Sequence, residues 1–204
     1  MRFAILVPLL ACSVSAGPLS AQPRATGDFH AVELRGTADV NVRLARATSV
    51  EVSADADVLG RVTTDVKDGT LVIATHGVVR SAHAITVTVS TPSLDAVSLT
   101  GTGRLTVAGI DAPAFAASLT GTGEIDLAGQ AGAGIYAIEG TGDLRAKDLA
   151  AKSATGSMEG TGSLELTATD QLTISVDGTG DVEVFGHPRA ITKSIHGVGN
   201  VRVH

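Results

Sequence analysis

The sequence has no tryptophan, a single cysteine and very few aromatic residues. Among 204 residues there are four phenylalanines and one tyrosine. Because Cys12 is the only cysteine, the chain cannot form an internal disulfide, and its stability must come from packing and backbone pairing. The core must be built from Val, Leu, Ile and Ala. Sugar-binding enzymes commonly use aromatic stacking platforms, which this composition does not favour.

The sequence also lacks clustered positive charge and a long apolar run. It contains 15 Lys and Arg residues against 21 Asp and Glu residues. An acidic chain without a basic cluster argues against nucleic acid as a partner. No stretch approaches the roughly 20 apolar residues that a membrane-spanning helix needs.

The first residues have the features of an export signal. Arg2 precedes the uncharged apolar run of residues 4–11, and small residues lead to Ala21. This arrangement predicts a signal peptide at residues 1–21. Cleavage after Ala16 is the other plausible position.

The same segment permits a second interpretation, because Leu9-Leu10-Ala11-Cys12 resembles a bacterial lipobox. Lipidation of Cys12 would anchor the protein to a membrane, whereas ordinary cleavage would release it. Residues 22–27 are predicted to form a short tether before the domain, and with Cys12 lipidated the tether would extend from Ser13 to Gly27. Both interpretations remain open at this point.

A Gly-x-Gly triplet recurs through the second half of the chain, and each copy except the last has threonine in the middle. The first glycines of successive triplets are 20, 19, 20, 18 and 19 residues apart. Such regular spacing is typical of repeat architectures. The repeated glycines, predicted to be structural, are Gly101, Gly103, Gly121, Gly123, Gly140, Gly142, Gly160, Gly162, Gly178, Gly180, Gly197 and Gly199.

Apolar residues flank every triplet with the period of a β-strand. Leu119 and Ile125, for example, lie two residues before Gly121 and two residues after Gly123. These features predict an all-β fold, a single-stranded right-handed parallel β-helix (a solenoid) with coils of about 19 residues. The alternative is that the triplets are turns of an antiparallel barrel, but the near-identity of consecutive units disfavours it.

Residues 28–95 are less regular than residues 96–204. One degenerate copy, Gly36-Thr37-Ala38, precedes the array, and Asp68-Gly69 predicts a tight hairpin. We expect residues 28–95 to form the first coils and an N-terminal cap, and residues 96–204 the regular array. Short strands are predicted at residues 29–34, 39–44, 49–54, 61–66, 70–75 and 84–91.

Three stretches, residues 29–36, 68–73 and 92–103, resemble in order and spacing the auto-transporter adhesin head domain. This family is also called the GIN domain, or domain of unknown function 2807. The resemblance covers residues 28–204. It implies a bacterial, exported, β-helical domain that occurs on envelope proteins and lipoproteins. The family brings no catalytic residue to transfer.

Acidic residues precede three consecutive triplets. Stacked coils would place Glu139, Glu159 and Asp177 in one column about 4.8 Å apart, where their charges repel. The column after the triplets, from Arg104 to Asn200, is also rich in acids. A divalent cation could relieve the repulsion, and the alternative is a solvated acidic face. No other metal site and no cofactor are predicted, because the histidines lack ligand spacing.

These features predict a non-catalytic, exported module of the cell envelope or surface, with a structural or adhesin-like binding role. The expected partner is an envelope protein or a glycan, and the expected location is periplasmic, outer-membrane-associated or secreted. The alternative is a polysaccharide lyase or glycosidase. Such an enzyme needs positioned carboxylates in a cleft, and the even triplet spacing leaves no room for cleft-forming loops.

The last strand is predicted to leave an unpaired parallel edge at residues 201–204. Unpaired edges invite pairing with another strand. Edge-mediated self-association through Val201–His204, or docking of a partner strand there, is therefore a further expectation.

Overall fold

The computed structural model describes residues 19–24, 26–77 and 83–204. In this part of the chain, eight strands form a single sheet, and the only helical element is a 3₁₀ turn at Leu59–Arg61. The strands are β1 (Leu19–Arg24), β2 (Ala31–Leu44), β3 (Ser49–Asp55), β4 (Val62–Lys67), β5 (Thr70–Thr75), β6 (Thr86–Thr91), β7 (Ala96–Phe185) and β8 (Ala190–Val203).

Strand β7 is one continuous extended run of 90 residues that contains five of the triplets. It runs beside itself once per repeat, so that each triplet approaches the one before it, and we call each such segment a pass of β7. It pairs in parallel with β2, which places Gly36 beside Gly101. It also pairs in parallel with β8, which places Gly178 beside Gly197. The degenerate first copy therefore lies directly against the first full triplet, although 65 residues separate them in the sequence.

Glycine is required in the triplets because consecutive copies approach one another through their backbones. Gly121 has a φ of +117°, and a Cβ atom there would lie 2.6 Å from the carbonyl oxygen of Gly101. A Cβ atom on Gly123 would lie 2.6 Å from the carbonyl oxygen of Gly103. Only glycine adopts this conformation and tolerates this approach without strain. The predicted structural role of these two glycines therefore has a steric cause.

The N-terminal strands are arranged differently. Strands β4 and β5 form an antiparallel hairpin. Its turn residues, Asp68 and Gly69, have φ values of 50° and 74°. Strand β3 pairs antiparallel with both β1 and β6. The predicted Asp-Gly hairpin is confirmed.

The prediction of a single-stranded right-handed parallel β-helix is wrong. The sheet is mixed, with parallel and antiparallel pairs, and it is nearly closed in a barrel-like manner. A two-residue turn reverses the chain between β4 and β5, so these strands are antiparallel, as are β3 with β1 and β3 with β6. The N-terminal strands therefore do not all follow one parallel coil, although β5 and β6 pair in parallel with β2. The all-β class itself is correct.

The core is one continuous aliphatic cluster that runs through both parts of the sheet. Alternate residues of each strand point inward, as Leu119 and Ile138 do in β7, and both are at most 1% exposed. The two largest fully buried side chains are Tyr136 and Phe115. A core of Val, Leu, Ile and Ala with few aromatics agrees with the composition.

The structure describes only part of the predicted signal peptide and tether. Cys12 and residues 1–18 of the predicted signal peptide lie outside the described residues. Residues 22–24 of the predicted tether belong to β1 and pair with β3. Within the described residues, no helix has the length and apolar character to cross a membrane.

Candidate functional site

The middle residues of the triplets form a row of exposed threonines that crosses β2 and the successive passes of β7. Parallel register places Thr37 beside Thr102 at one end of this row and Thr179 beside Val198 at the other. Neighbouring positions on adjacent strands are about 4.8 Å apart. We call these residues the threonine row: Thr37, Thr102, Thr122, Thr141, Thr161 and Thr179.

An open groove of about 850 Å³ runs along the threonine row. Its floor includes Thr102, Thr122, Thr141 and Thr161 with the neighbouring glycines. Its charged lining comes from the residues that follow the triplets, namely Asp39, Arg104, Glu124 and Asp143. The groove thus combines hydroxyls, which donate and accept hydrogen bonds, with side chains of both charges.

Beside the groove lies a group of charged residues on successive passes of β7, which we call the ion-pair cluster. Arg104 lies at one end of it, and Glu124 forms ion pairs with both Arg104 and Arg145. The cluster consists of Arg104, Glu124, Asp126, Asp143, Arg145, Lys147 and Glu165.

Arg145 is the centre of this cluster. Its guanidinium nitrogens lie 3.5 Å from Asp143, 3.6 Å from Asp126 and 3.9 Å from Glu165. Lys147 lies 3.5 Å from Glu165 as well. In the column after the triplets, Glu124 and Asp143 are therefore paired with arginine side chains. Lys147 pairs with Glu165, which lies two residues farther along.

The cluster also lies in partly desolvated surroundings. Burial raises the pKa of the Asp126 carboxyl above its ordinary value. Arg104 and Lys147 act in the opposite direction, whereas the Glu165 carboxylate adds to the rise. Glu124 and Glu165 have side chains only 16% and 20% exposed. Charge–charge interactions here are screened less than those between fully exposed side chains.

The predicted cation stripe has a different environment. Glu139, Glu159 and Asp177 are all exposed and precede consecutive triplets. Among the residues that the structure describes, no group of three or more His, Cys, Asp or Glu side chains is arranged to hold a metal ion. The stripe remains a prediction without support from the geometry.

A buried carboxylate lies in the N-terminal part of the sheet. Asp55, only 3% exposed, ends β3. Its Oδ1 atom lies 2.6 Å from Nδ1 of His83. The contact joins the end of β3 to the segment that leads into β6 and so helps to position these strands.

The sequence did not reveal several of these residues. The ion-pair cluster was not predicted, because the residues directly after the triplets were considered alone. Arg145 contacts Glu124 and Asp143 at that position of the repeat. It also contacts Asp126 and Glu165, which lie two residues farther along the repeat. The sequence signal is that both positions of the repeat carry residues of opposite charge in consecutive copies. No sequence signal marked the pairing of Asp55 with His83, because those residues are distant in the chain and outside the repeats.

The model of one protein family matches residues 28–188, and its description is "Putative auto-transporter adhesin, head GIN domain". The chain belongs to this family. The match covers most of the sequence and confirms the resemblance in residues 29–36, 68–73 and 92–103. The family description names an adhesin head domain, which agrees with an adhesin-like module.

Solved structures share the fold of this GIN domain protein. A structure described as a putative adhesin from Bacteroides fragilis has a TM-score of 0.77 and 18% identity, over 92% of this chain and 97% of that chain. A putative adhesin from Parabacteroides merdae has a TM-score of 0.56, 19% identity and the same coverage. At this identity the likeness establishes the fold alone.

A third structure carries a different description. It is a putative lipid binding protein from Parabacteroides distasonis, with a TM-score of 0.54 and 18% identity, over 92% of this chain and 97% of that chain. A search of curated proteins found none that matches the sequence. The comparisons therefore support an adhesin-like module and do not identify a ligand.

Proposed function

We propose that this GIN domain protein is a non-catalytic, exported binding module of the cell envelope, and that its ligand lies along the threonine row. The observation that carries the proposal is the open groove of about 850 Å³ with four threonines in its floor. An elongated groove built from repeated positions suits an elongated ligand with repeated units. A glycan chain has that form.

The groove chemistry supports a glycan over an apolar ligand. Threonine hydroxyls can donate to and accept from sugar hydroxyls, and carboxylates such as Glu124 and Asp143 accept from them. A lipid tail would gain little from such a lining, because lipid sites are concave and mostly apolar. An envelope protein is the other partner that the sequence predicts. The proposed locations are the periplasm, the outer membrane or the cell exterior, with Cys12 as the lipid attachment site if the chain is anchored.

The proposal is tested by binding of soluble polysaccharides to the purified protein. Thr141→Val removes one hydroxyl from the middle of the groove while keeping a similar shape. Loss of one hydrogen bond worth about 1 kcal/mol weakens binding roughly fivefold. Thr173→Val is the matched control, since Thr173 is exposed on β7 but does not line the groove.

Other outcomes distinguish the alternatives. Equal weakening by Thr141→Val and Thr173→Val, or no polysaccharide bound at all, contradicts the proposal. Release of reducing ends or unsaturated sugars by the wild-type protein would instead support the polysaccharide-degrading enzyme. Binding to phospholipid vesicles without any polysaccharide bound would favour a lipid ligand.

A further inference from the structure

The last strand presents an unpaired edge with exposed apolar side chains. Among the described strands, β8 pairs only with β7, and none of them lies along its other edge. Val198 is 78% exposed, Val203 48%, Ile191 44% and Ile195 38%. We call this surface the β8 edge. Free backbone donors and acceptors beside apolar side chains are what an added strand uses for binding.

The β8 edge is basic, although the chain as a whole is acidic. Residues 186–204 contain Arg189, Lys193 and Arg202 and no Asp or Glu. Arg189 lies 3.4 Å from Asp170, and Arg202 lies 3.8 Å from Glu183, so both have a carboxylate on the preceding strand. The described residues provide no such partner for Lys193.

Lys193 occupies an inward position of the repeat. Its neighbour in the β7 ladder is Ile174, which is 1% exposed. On either side of it, Ile191 and Ile195 continue the aliphatic columns of Leu172 and Val176. A lysine therefore stands where the repeat would place an aliphatic residue, at the edge of an otherwise apolar column.

A charged side chain that points inward on an edge strand hinders non-specific pairing of that strand with strands of other proteins. A second copy of this chain, joined edge to edge, would bury the Lys193 ammonium against aliphatic side chains or bring two basic edges together. An ammonium buried without a carboxylate is costly. A strand with a carboxylate opposite Lys193 removes that cost and still covers Ile191 and Ile195.

We propose that the β8 edge accepts an extended acidic strand from another protein, and that Lys193 selects it. The recognised segment alternates apolar, polar, acidic, polar and apolar residues, so that its acid faces Lys193 and its apolar residues extend the two columns. Backbone hydrogen bonds supply affinity, and the charge supplies selectivity. The β8 edge adjoins the end of the threonine row, where Val198 lies beside Thr179, but none of its residues lines the groove.

The first test uses synthetic peptides and charge exchange. A labelled peptide with the sequence Thr-Val-Thr-Glu-Thr-Val-Thr is titrated with the full chain, alongside the same peptide with Lys in place of Glu. The wild-type protein should bind the Glu peptide at least about tenfold more tightly than the Lys peptide, since like charges at an interface are strongly unfavourable. Lys193→Glu should invert this preference, and Lys193→Gln should abolish it.

Equal binding of both peptides by the wild-type protein, or no binding of either, overturns the proposal. Thr141→Val should leave peptide binding unchanged, so failure of this proposal and failure of the glycan proposal are distinguishable. Lys193 is exposed, and each variant is checked for an unchanged melting temperature.

The second test asks whether Lys193 prevents self-association. Lys193→Ile completes the aliphatic column and should strengthen self-association at least about tenfold by sedimentation equilibrium, as removal of a buried unpaired charge predicts. Thr192→Ile is the matched control, since it adds the same side chain at the adjacent exposed position on the opposite face of β8. A wild-type protein that already dimerises as strongly as Lys193→Ile would overturn the proposal in favour of a second copy as the occupant.

Discussion

The N-terminal strands β1 to β6 and the triplet-bearing strands β7 and β8 achieve burial in different ways. The triplet part repeats one unit, and its parallel ladders bring equivalent residues together. The N-terminal part combines parallel pairs to β2 with antiparallel pairs among β1, β3, β4, β5 and β6. Both parts nevertheless share a single core.

The difference shows how two kinds of sequence signal determine local structure. In the triplet part, repetition aligns glycine with glycine, so that steric constraints recur from strand to strand. In the N-terminal part, specific contacts hold the chain, such as the Asp68-Gly69 turn and the pairing of Asp55 with His83. We therefore expect substitutions in the two parts to fail for different physical reasons.

The largest effect is expected from a glycine substitution in the triplet part. Gly121→Ala combines an unfavourable φ with a clash against the backbone of Gly101, and should cost about 2–6 kcal/mol of unfolding free energy. Gly60→Ala is the N-terminal control, because nothing lies within 4 Å of a Cβ atom there. Urea denaturation of both variants measures the difference. Similar urea midpoints for Gly121→Ala and Gly60→Ala would contradict the steric requirement for glycine in the triplets.

An alkaline titration examines the triplet part through the only tyrosine in the chain. Burial raises the pKa of Tyr136 to about 12, and its hydroxyl has no hydrogen-bond partner among the residues that the structure describes. Because the unfolded chain loses this proton near pH 10, the free energy of unfolding should fall as pH rises from about 10 to 12, by about 2–3 kcal/mol in total.

Tyr136→Phe is the matched variant for this titration. It should lack this component of the alkaline loss, and it should be about 1 kcal/mol more stable at neutral pH because a buried unpaired hydroxyl is removed. Near-ultraviolet absorbance of tyrosinate follows the ionisation directly. A tyrosinate signal that develops near pH 10 in the folded protein would contradict the burial of Tyr136.

A smaller effect is expected from the buried carboxylate of the N-terminal part. Asp55→Ala loses the contact with His83 and should lower the free energy of unfolding by about 1–2 kcal/mol. Asp57→Ala is the control, because Asp57 is exposed only two residues away. Thermal unfolding by circular dichroism compares them. Equal stability of the two variants would show that the contact does not hold the N-terminal part together.

The smallest effect is expected from the ion-pair cluster. Arg145→Met should cost about 1 kcal/mol or less, and the cost should shrink at high salt, because partly exposed ion pairs contribute little and are screened. Arg189→Met should have no measurable effect, since its side chain is 85% exposed. Denaturation at low and high salt checks both, and a salt-independent loss in Arg145→Met would indicate lost packing instead.

Much of the triplet part was predictable from the sequence. The glycine spacing and the alternating apolar residues gave the strands, the alignment of the triplets and the inward positions of residues such as Leu119. The family was predictable too. These features repeat, so a weak local preference is reinforced in every copy.

The N-terminal part was less predictable. Its hairpin was correctly inferred from Asp68-Gly69, but the pairing of β3 with β1 and β6 joins segments that no sequence pattern links. The expectation that residues 28–95 form the first coils and cap of a parallel β-helix led to the wrong overall fold. The Lys193 position could have been noticed, because lysine replaces an aliphatic residue at a fixed place in the repeat.

Neighbouring triplets lie side by side, so that their middle residues form one threonine row. Disulfide trapping tests it directly, in a chain with Cys12→Ser. Thr122→Cys with Thr141→Cys joins positions on adjacent passes of β7, about 4.8 Å apart and within disulfide reach. Thr122→Cys with Thr161→Cys spans two strand spacings, roughly 10 Å, which is too far. Rapid, nearly complete cross-linking of the first pair and none of the second is the predicted result. Cross-linking of the second pair in preference to the first would contradict the stacking and, with it, the proposed groove.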